Sequence, residues 1–291
     1  MIQNFNNNMT VLPFYNSRSM QNHRKSYAYG QVYPLYAQTN MLMPFQIIRN
    51  YQPGGSHIFA VSIINLKTNE RKGITTEMLD SGLQAIDYKD LGYTVFTFPG
   101  NIAMNLNLKE GQYYLYIVVG EASYYSEVMT LVDDTSGLLK IEWFDEEDLM
   151  FEGGRIVYKN PSFRNTLYLC TELGKPDYEF QEEGSERDGY FFPEKQVSEK
   201  TYKFVALAPE YLCDAMRLIR MSDHILVTDK YGHTYDCDSF LMSPKWQEQG
   251  DLASVDCEFQ TNTVVKKLGK GYILARKGDF NYDFNNDYLR D

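Results

Sequence analysis

The segment GQYYLYIVVG, residues 111–120, followed after a short turn by YSEVMTLV, residues 125–132, decides the fold class. Tyr, Leu, Ile and Val crowd a run bounded by glycines. β-Branched and aromatic side chains suit a pleated surface with one face buried. The pair predicts two antiparallel strands. Outward from it, further short apolar stretches recur between turn residues, at Gln46–Arg49, His57–Asn65 and Tyr93–Phe98. Pro53-Gly54-Gly55, Pro99-Gly100 and Gly111 punctuate them. In the second stretch Ile58, Ala60, Ser62 and Ile64 alternate with Phe59, Val61 and Ile63, a pattern expected of a strand buried on both faces. Several strands at this spacing predict a sandwich over residues 29–134. Thr76–Gly82 reads as a single helical turn stopped by its glycine.

Asp133-Asp134-Thr135-Ser136-Gly137 is polar and is expected to be a flexible boundary. Beyond it, residues 138–268 read as a second β-rich domain. Thr201–Ala208 predicts a strand, and Pro209 starts a helix at the position where a missing N–H costs least. Leu212, Ala215, Met216 and Ile219 fall on one stripe of a helix over about 209–221, with Arg217 and Arg220 in its last turn. His224–Thr228 and His233–Met242 predict strands joined by Asp229-Lys230-Tyr231-Gly232. In Leu252–Thr261, Ala253, Val255, Cys257 and Phe259 alternate with Ser254, Asp256, Glu258 and Gln260, the signature of a half-buried strand. The expected class is mainly β: two β-sandwich-type domains, the second with one flanking α-helix. An extended arm over residues 1–28, rich in Asn, Gln, Ser and Met, and an extension over 269–291 complete the division.

The charge is unevenly placed. The chain has 291 residues and a formal net charge of −11. Its first acidic residue is Glu70, so residues 1–69 carry +5 and the remainder −16. The densest acid run is Glu142, Asp145, Glu146, Glu147, Asp148 and Glu152 around Trp143; a second is Glu179, Glu182, Glu183, Glu186 and Asp188. Acid runs usually form solvated faces and loops. The sharper reading is a basic leading segment that docks on an acidic body, with Arg18, Arg24, Lys25 and Arg49 drawn to Glu142, Glu146 and Glu147. Complementary charge of this kind steers association and sets register.

An acidic chain does not suit a basic nucleic-acid coat, and no apolar run approaches the roughly 18 residues of a membrane-spanning helix. The first residues lack the basic-then-apolar pattern of a secretory signal. Cys170, Cys213, Cys237 and Cys257 are widely spaced, and free thiols are the expected state. His233 and Cys237, with Asp236, Asp238 and His224 nearby, raise a metal site or a Cys–His pair, but on a strand the thiol and its flanking carboxylates face opposite ways. Asp279, Asn281 and Asp283 match the opening of a calcium loop. Phe284 and Arg290 then stand where that loop needs Gly and Glu. A catalytic carboxylate pair within Glu142–Glu152 would need a fixed separation that so dense a run does not suggest. Gly54-Gly55 and Gly153-Gly154 lack the context of a phosphate-binding loop. No nucleophile elbow or zinc-protease motif occurs. These residues point to no reaction. The 24 Tyr, 17 Phe and 2 Trp also admit a sugar-stacking surface, against the alternative of cross-strand and core packing.

LKEGQYYLYIVVGEASYYSEVMTLV (residues 108–132) looks like the end of a fibronectin- or immunoglobulin-like sandwich. YEFQEEGSERDGYFFPEKQ (residues 178–196), followed by the strand, helix and strands to Val265, resembles tail proteins of tailed bacteriophages and prophages of gut bacteria. The resemblance covers about half of the chain and has no catalytic motif. It implies a virion structural role in a phage tail or baseplate, most like a distal tail protein, with ring formation and no cofactor. Expected partners are copies of the chain and other tail proteins, with neither nucleic acid nor membrane. The expected place is the virion, after synthesis in the bacterial host cytoplasm. A carbohydrate- or receptor-binding sandwich, adhesin-like, is the alternative.

Overall fold

The structure, a computed structural model, describes residues 11–18, 33–51, 53, 59–74, 84–98, 100–103, 105–119, 122–146, 149–151, 155–158, 164–246 and 250–267. The protein is mainly β, with sandwich-type packing and one α-helix among the described residues. Ten strands build the first half: β1 (Phe14–Tyr15), β2 (Leu35–Gln38), β3 (Phe45–Asn50), β4 (Phe59–Asn65), β5 (Arg71–Gly73), β6 (Gln84–Tyr88), β7 (Tyr93–Phe98), β8 (Gly111–Val119), β9 (Ala122–Ser126) and β10 (Met129–Val132). One sheet is centred on β8, with β4 and then β5 on one side and β9 and β10 on the other. The facing sheet runs β3-β7-β6. Leu35, Ala37, Phe45, Val61, Ile63, Phe98, Leu115, Ile117 and Leu131 are buried in the core. Phe45 and Phe98, partners in register, stack at 4.5 Å, and Phe14 tilts against Phe45 at 5.2 Å.

The expected strand over 125–132 is two strands. They separate at Glu127-Val128, where the outer neighbour changes from β1, antiparallel to β9, to β2, parallel to β10. Hydrogen bonds hold the break. The Glu127 N–H donates to the Pro13 carbonyl (2.8 Å), and the Leu115 N–H donates to Ser126 Oγ (2.8 Å). The strand at 58–64 is not buried on both faces throughout. Val61, Ser62 and Ile63 are buried, Ala60 is exposed and Ile64 is half-buried. The turn expected at Thr76–Gly82 lies outside the described residues.

The arm expected over 1–28 is not a free arm along residues 11–18. Val11, Leu12 and Phe14 are buried, and β1 pairs with β9. Three apolar side chains in four residues outweigh the polar context. The junction at 133–137 is pinned rather than flexible. Gln38 Nε2 donates to Thr135 Oγ1 (2.8 Å), Thr39 Oγ1 to Asp133 Oδ1 (2.7 Å), and the Ser136 N–H to Asp134 Oδ1 (2.8 Å). Polar residues here serve as turn-forming acceptors.

The second half holds β11 (Leu139–Phe144), β12 (Leu149–Phe151), β13 (Arg155–Tyr158), β14 (Asn165–Leu169), β15 (Asp177–Arg187), β16 (Tyr190–Pro209), α1 (Glu210–Met216), β17 (His224–Thr228), β18 (Thr234–Trp246) and β19 (Leu252–Lys267). A seven-stranded sheet runs β14-β11-β17-β18-β19-β16-β15, and β12 pairs with β13. Leu212, Ala215, Met216 and Ile219 are all fully buried, as the stripe predicts, and the helix contacts β16 and β19. Only Glu210–Met216 is α-helical, however. Pro209 is the last residue of β16 and caps the helix, and Ile219–Met221 is a 3-10 turn. The alternation in β19 is as expected: Ala253, Val255, Cys257 and Phe259 are buried.

A buried carboxylate sits among elements of both halves. Glu127 is 3% exposed, and the Val128 N–H donates to its Oε1 (3.1 Å). The Tyr15 hydroxyl hydrogen-bonds the same carboxylate; burial first, then that charge, raises its pKa far above the ordinary tyrosine value. Tyr211 of α1 is buried and feels Glu127, Tyr33 and Tyr15, and its pKa is raised chiefly by desolvation. A buried charge survives only where donors surround it. Tyr15→Phe removes one donor while keeping the ring. It is expected to cost about 1–2 kcal/mol in denaturant unfolding and to speed proteolysis between residues 11 and 18.

Candidate assembly interface

Glu142, Asp145 and Glu146 of the first acid run are described, and Glu147, Asp148 and Glu152 lie outside the described residues. Glu142 lies on β11, where Leu139, Ile141 and Trp143 are buried and Lys140, Glu142 and Phe144 alternate with them. It pairs with Lys140 at 2.8 Å. Beyond the strand, Asp145 and Asp223 latch two segments reciprocally. The Asp223 N–H donates to Asp145 Oδ1 (3.1 Å), and the Glu146 N–H donates to Asp223 Oδ2 (3.0 Å). Glu146 Oε1 lies 2.9 Å from His224 Nε2. The His224 ring stacks on Phe144 at 4.7 Å, and Arg164 lies 4.1 Å from the Phe144 centroid.

The candidate pairing is therefore not assembled within the described chain. Arg18 lies over the Tyr114 ring at 4.8 Å, while Glu142 and Glu146 have partners of their own. Arg24, Lys25 and Glu147 lie outside the described residues, as does the Arg49 side chain. His233 Nδ1 lies 3.2 Å from Asp229 Oδ2, and the Cys237 thiol points to the Tyr235 carbonyl, so the two do not form a pair. Burial pushes Cys237 and Cys257 up to about 12 and Cys213 up to about 11, which leaves these thiols protonated and poorly nucleophilic. All four cysteines are free thiols. Among the described residues no group of three or more His, Cys, Asp or Glu is placed to hold a metal ion. No described helix is long and apolar enough to cross a membrane. The Asp279–Arg290 segment is not described.

The second acid run is a strand, not a loop. β15 carries Glu179, Glu182, Glu183 and Glu186 along the outermost position of the sheet. Charged edge strands resist accidental pairing. β15 turns into β16 at Asp188 (φ 51°) and Gly189 (φ 80°), the left-handed pair that a two-residue hairpin needs. Before this turn β15 has a register shift at Glu183/Gly184, where a Cβ on Gly184 would clash with the Phe192 carbonyl oxygen. β16 is twenty residues long, about 65 Å at a normal strand rise. Only its last part is packed: Tyr202, Phe204, Ala206 and Ala208 are buried, whereas Tyr190–Thr201 are half-buried or exposed.

The outer ends of β15, β16 and β19 thus form a three-stranded arm beyond the core. Its apolar side chains meet solvent: Phe180 is 76% exposed, Tyr190 72%, Val264 62% and Val265 49%. No strand is expected over 177–200 from the sequence, and the strand expected at 201–208 is the buried portion of β16 alone. Residues 262–267 also continue the strand expected to end at Thr261.

No family model matches the chain, and no curated protein matches it.

The Asp145 carboxyl is raised from its ordinary 3.8, first by burial and then by the Asp223 charge, against the lowering effect of the Asp223 N–H and Ser222. A raised folded-state value makes the ionised group costly. The cost is absent below 3.8 and grows as pH rises through the raised value. Asp145→Asn keeps an acceptor and removes the charge. It is expected to melt higher than the parent at about pH 7, with the two converging near about pH 3, in thermal scans across pH.

Proposed function

We propose that this chain is a structural component of a bacteriophage tail or baseplate, distal-tail-like, that works by joining copies of itself into a ring. The observation that carries the reading is the arm: a sheet prolonged past its core, with exposed apolar side chains and edges that have no strand neighbour among the described residues. Such edges are liabilities in a solitary protein and joints in an assembly. The first half supports the same reading. Its β5-β4-β8-β10 order, with β2 added in parallel and a β3-β7-β6 sheet beside it, supports an immunoglobulin-like reading of the sandwich. Fold alone does not assign function, so the weight rests on the arm. The virion is the expected place, and other tail proteins are the expected further partners.

A carbohydrate- or receptor-binding module is the second reading. Tyr231, 75% exposed at the β17–β18 turn, and Trp246, 48% exposed, favour it as stacking surfaces.

Sedimentation of the full chain across concentration and salt separates the two. The structural reading expects a discrete ring-sized species, visible as closed particles by electron microscopy. A chain that remains monomeric, binds glycans on an array and loses that binding on Tyr231→Ala or Trp246→Ala substitution supports the second. A monomer that turns over a small compound defeats both.

A further inference from the structure

The arm has two edges of opposite character. β15 is one; among the described residues it has no neighbour on its outer side. Residues 177–188 hold six acids and one base. The other edge is β19 beyond Thr261. β18 accompanies β19 only as far as Thr261, so Val264, Val265, Lys266 and Lys267 have β16 alone as a described neighbour. The Thr263 N–H is taken by Asp238 Oδ2 (3.1 Å), which closes the inner end of this edge.

The register ties the edges together row by row. Phe180, Ser198 and Val264 share one row; Gln181, Val197 and Val265 the next; Glu182, Gln196 and Lys266 the third; Glu183, Lys195 and Lys267 the fourth. Three of the four rows therefore begin on one edge and end on the other with a chemically complementary residue, Phe180 with Val264, Glu182 with Lys266 and Glu183 with Lys267, while the remaining row runs from Gln181 to Val265. Because β15 and β19 are both antiparallel to β16, they run in the same direction. A copy placed alongside, arm pointing the same way, would bring β19 of the first beside β15 of the second in parallel pairing. At equal height the rows run on across the joint. Val264 then meets Phe180 on one face, and Lys266 and Lys267 meet Glu182 and Glu183.

The same charges reject the competing two-fold arrangements. β15 against β15 would oppose acid to acid, and β19 against β19 would oppose lysine to lysine; like charges directly opposite destabilise strand pairs. A head-to-tail contact is what remains, and such a contact closes into a ring when its rotation closes. The geometry points to a β15-to-β19 sheet continuation between copies of this chain as the joint of the assembly. This inference rests on the ring reading above and specifies its interface.

The test uses full-length chains in sedimentation and native mass spectrometry at low salt, with circular dichroism reporting strand content. One variant carries Glu182→Lys and Glu183→Lys, the second Lys266→Glu and Lys267→Glu. Each alone is expected to weaken self-association by about 100-fold. Mixed, they are expected to assemble again with the two kinds alternating, because each supplies the edge the other lacks; two misfolded chains would not rescue each other. Variants that associate as tightly as the parent place the joint elsewhere and overturn this inference while leaving the ring reading intact. Two singly defective variants whose mixture stays monomeric also overturn it. A parent that never associates overturns both.

Discussion

Backbone hydrogen bonding in this protein extends further than its hydrophobic core. A sheet grows as long as neighbouring strands satisfy each other's N–H and C=O groups, and it needs no buried face to do so. β16 exploits this. Its last eight residues lie over α1 and the core, whereas among the described strands the rest is held by β15 and β19. Everything unusual about the surface follows: apolar side chains with no cover, long edges, and a bulge that admits only glycine at position 184.

The core itself is continuous from one half to the other. Leu35 and Phe45 of the first half belong to the same buried cluster as Trp143, Phe204 and Phe259 of the second. Polar groups reinforce this continuity where apolar contact would leave the geometry loose. Glu127 draws donors from β1 and its own backbone, the 133–137 junction is tied to β2, and Asp145 and Asp223 exchange backbone contacts. Each is a short-range arrangement of specific donors and acceptors, so each fixes orientation more than it adds stability.

Strands with one buried face were legible because their side chains alternate with period two; β19 and the buried end of β16 are the clearest cases. The helix stripe was legible for the same reason at period 3.6, although its α-helical part is shorter than the stripe. What escaped was everything set by a neighbour. β15 is polar and acidic, and only β16 makes it a strand. The break at Glu127 is a response to β1 and β2, neither of which was evident in the sequence. The loop-like residues of the junction become rigid through Gln38 and Thr39, nearly a hundred residues away in the chain. The charge asymmetry was visible at once, but its use was not. Arg18 settles on a tyrosine, and Glu142 and Glu146 find local partners. The acids of the second run lie at an edge, where Glu183 pairs with Lys195 and Glu182 accepts from Gln196 of the neighbouring strand, and the lysines at the other end of their rows lie at the end of a strand expected to stop sooner.

The tied junction has a mechanical consequence. Were the two halves connected by a slack tether, a push on the far end of the three-stranded arm would be absorbed by swivelling. With Thr135 and Asp133 clamped to β2 and Glu127 wedged against β1, the arm acts instead as a lever whose fulcrum is the first sandwich, so displacement at its tip is delivered to that sandwich as torque.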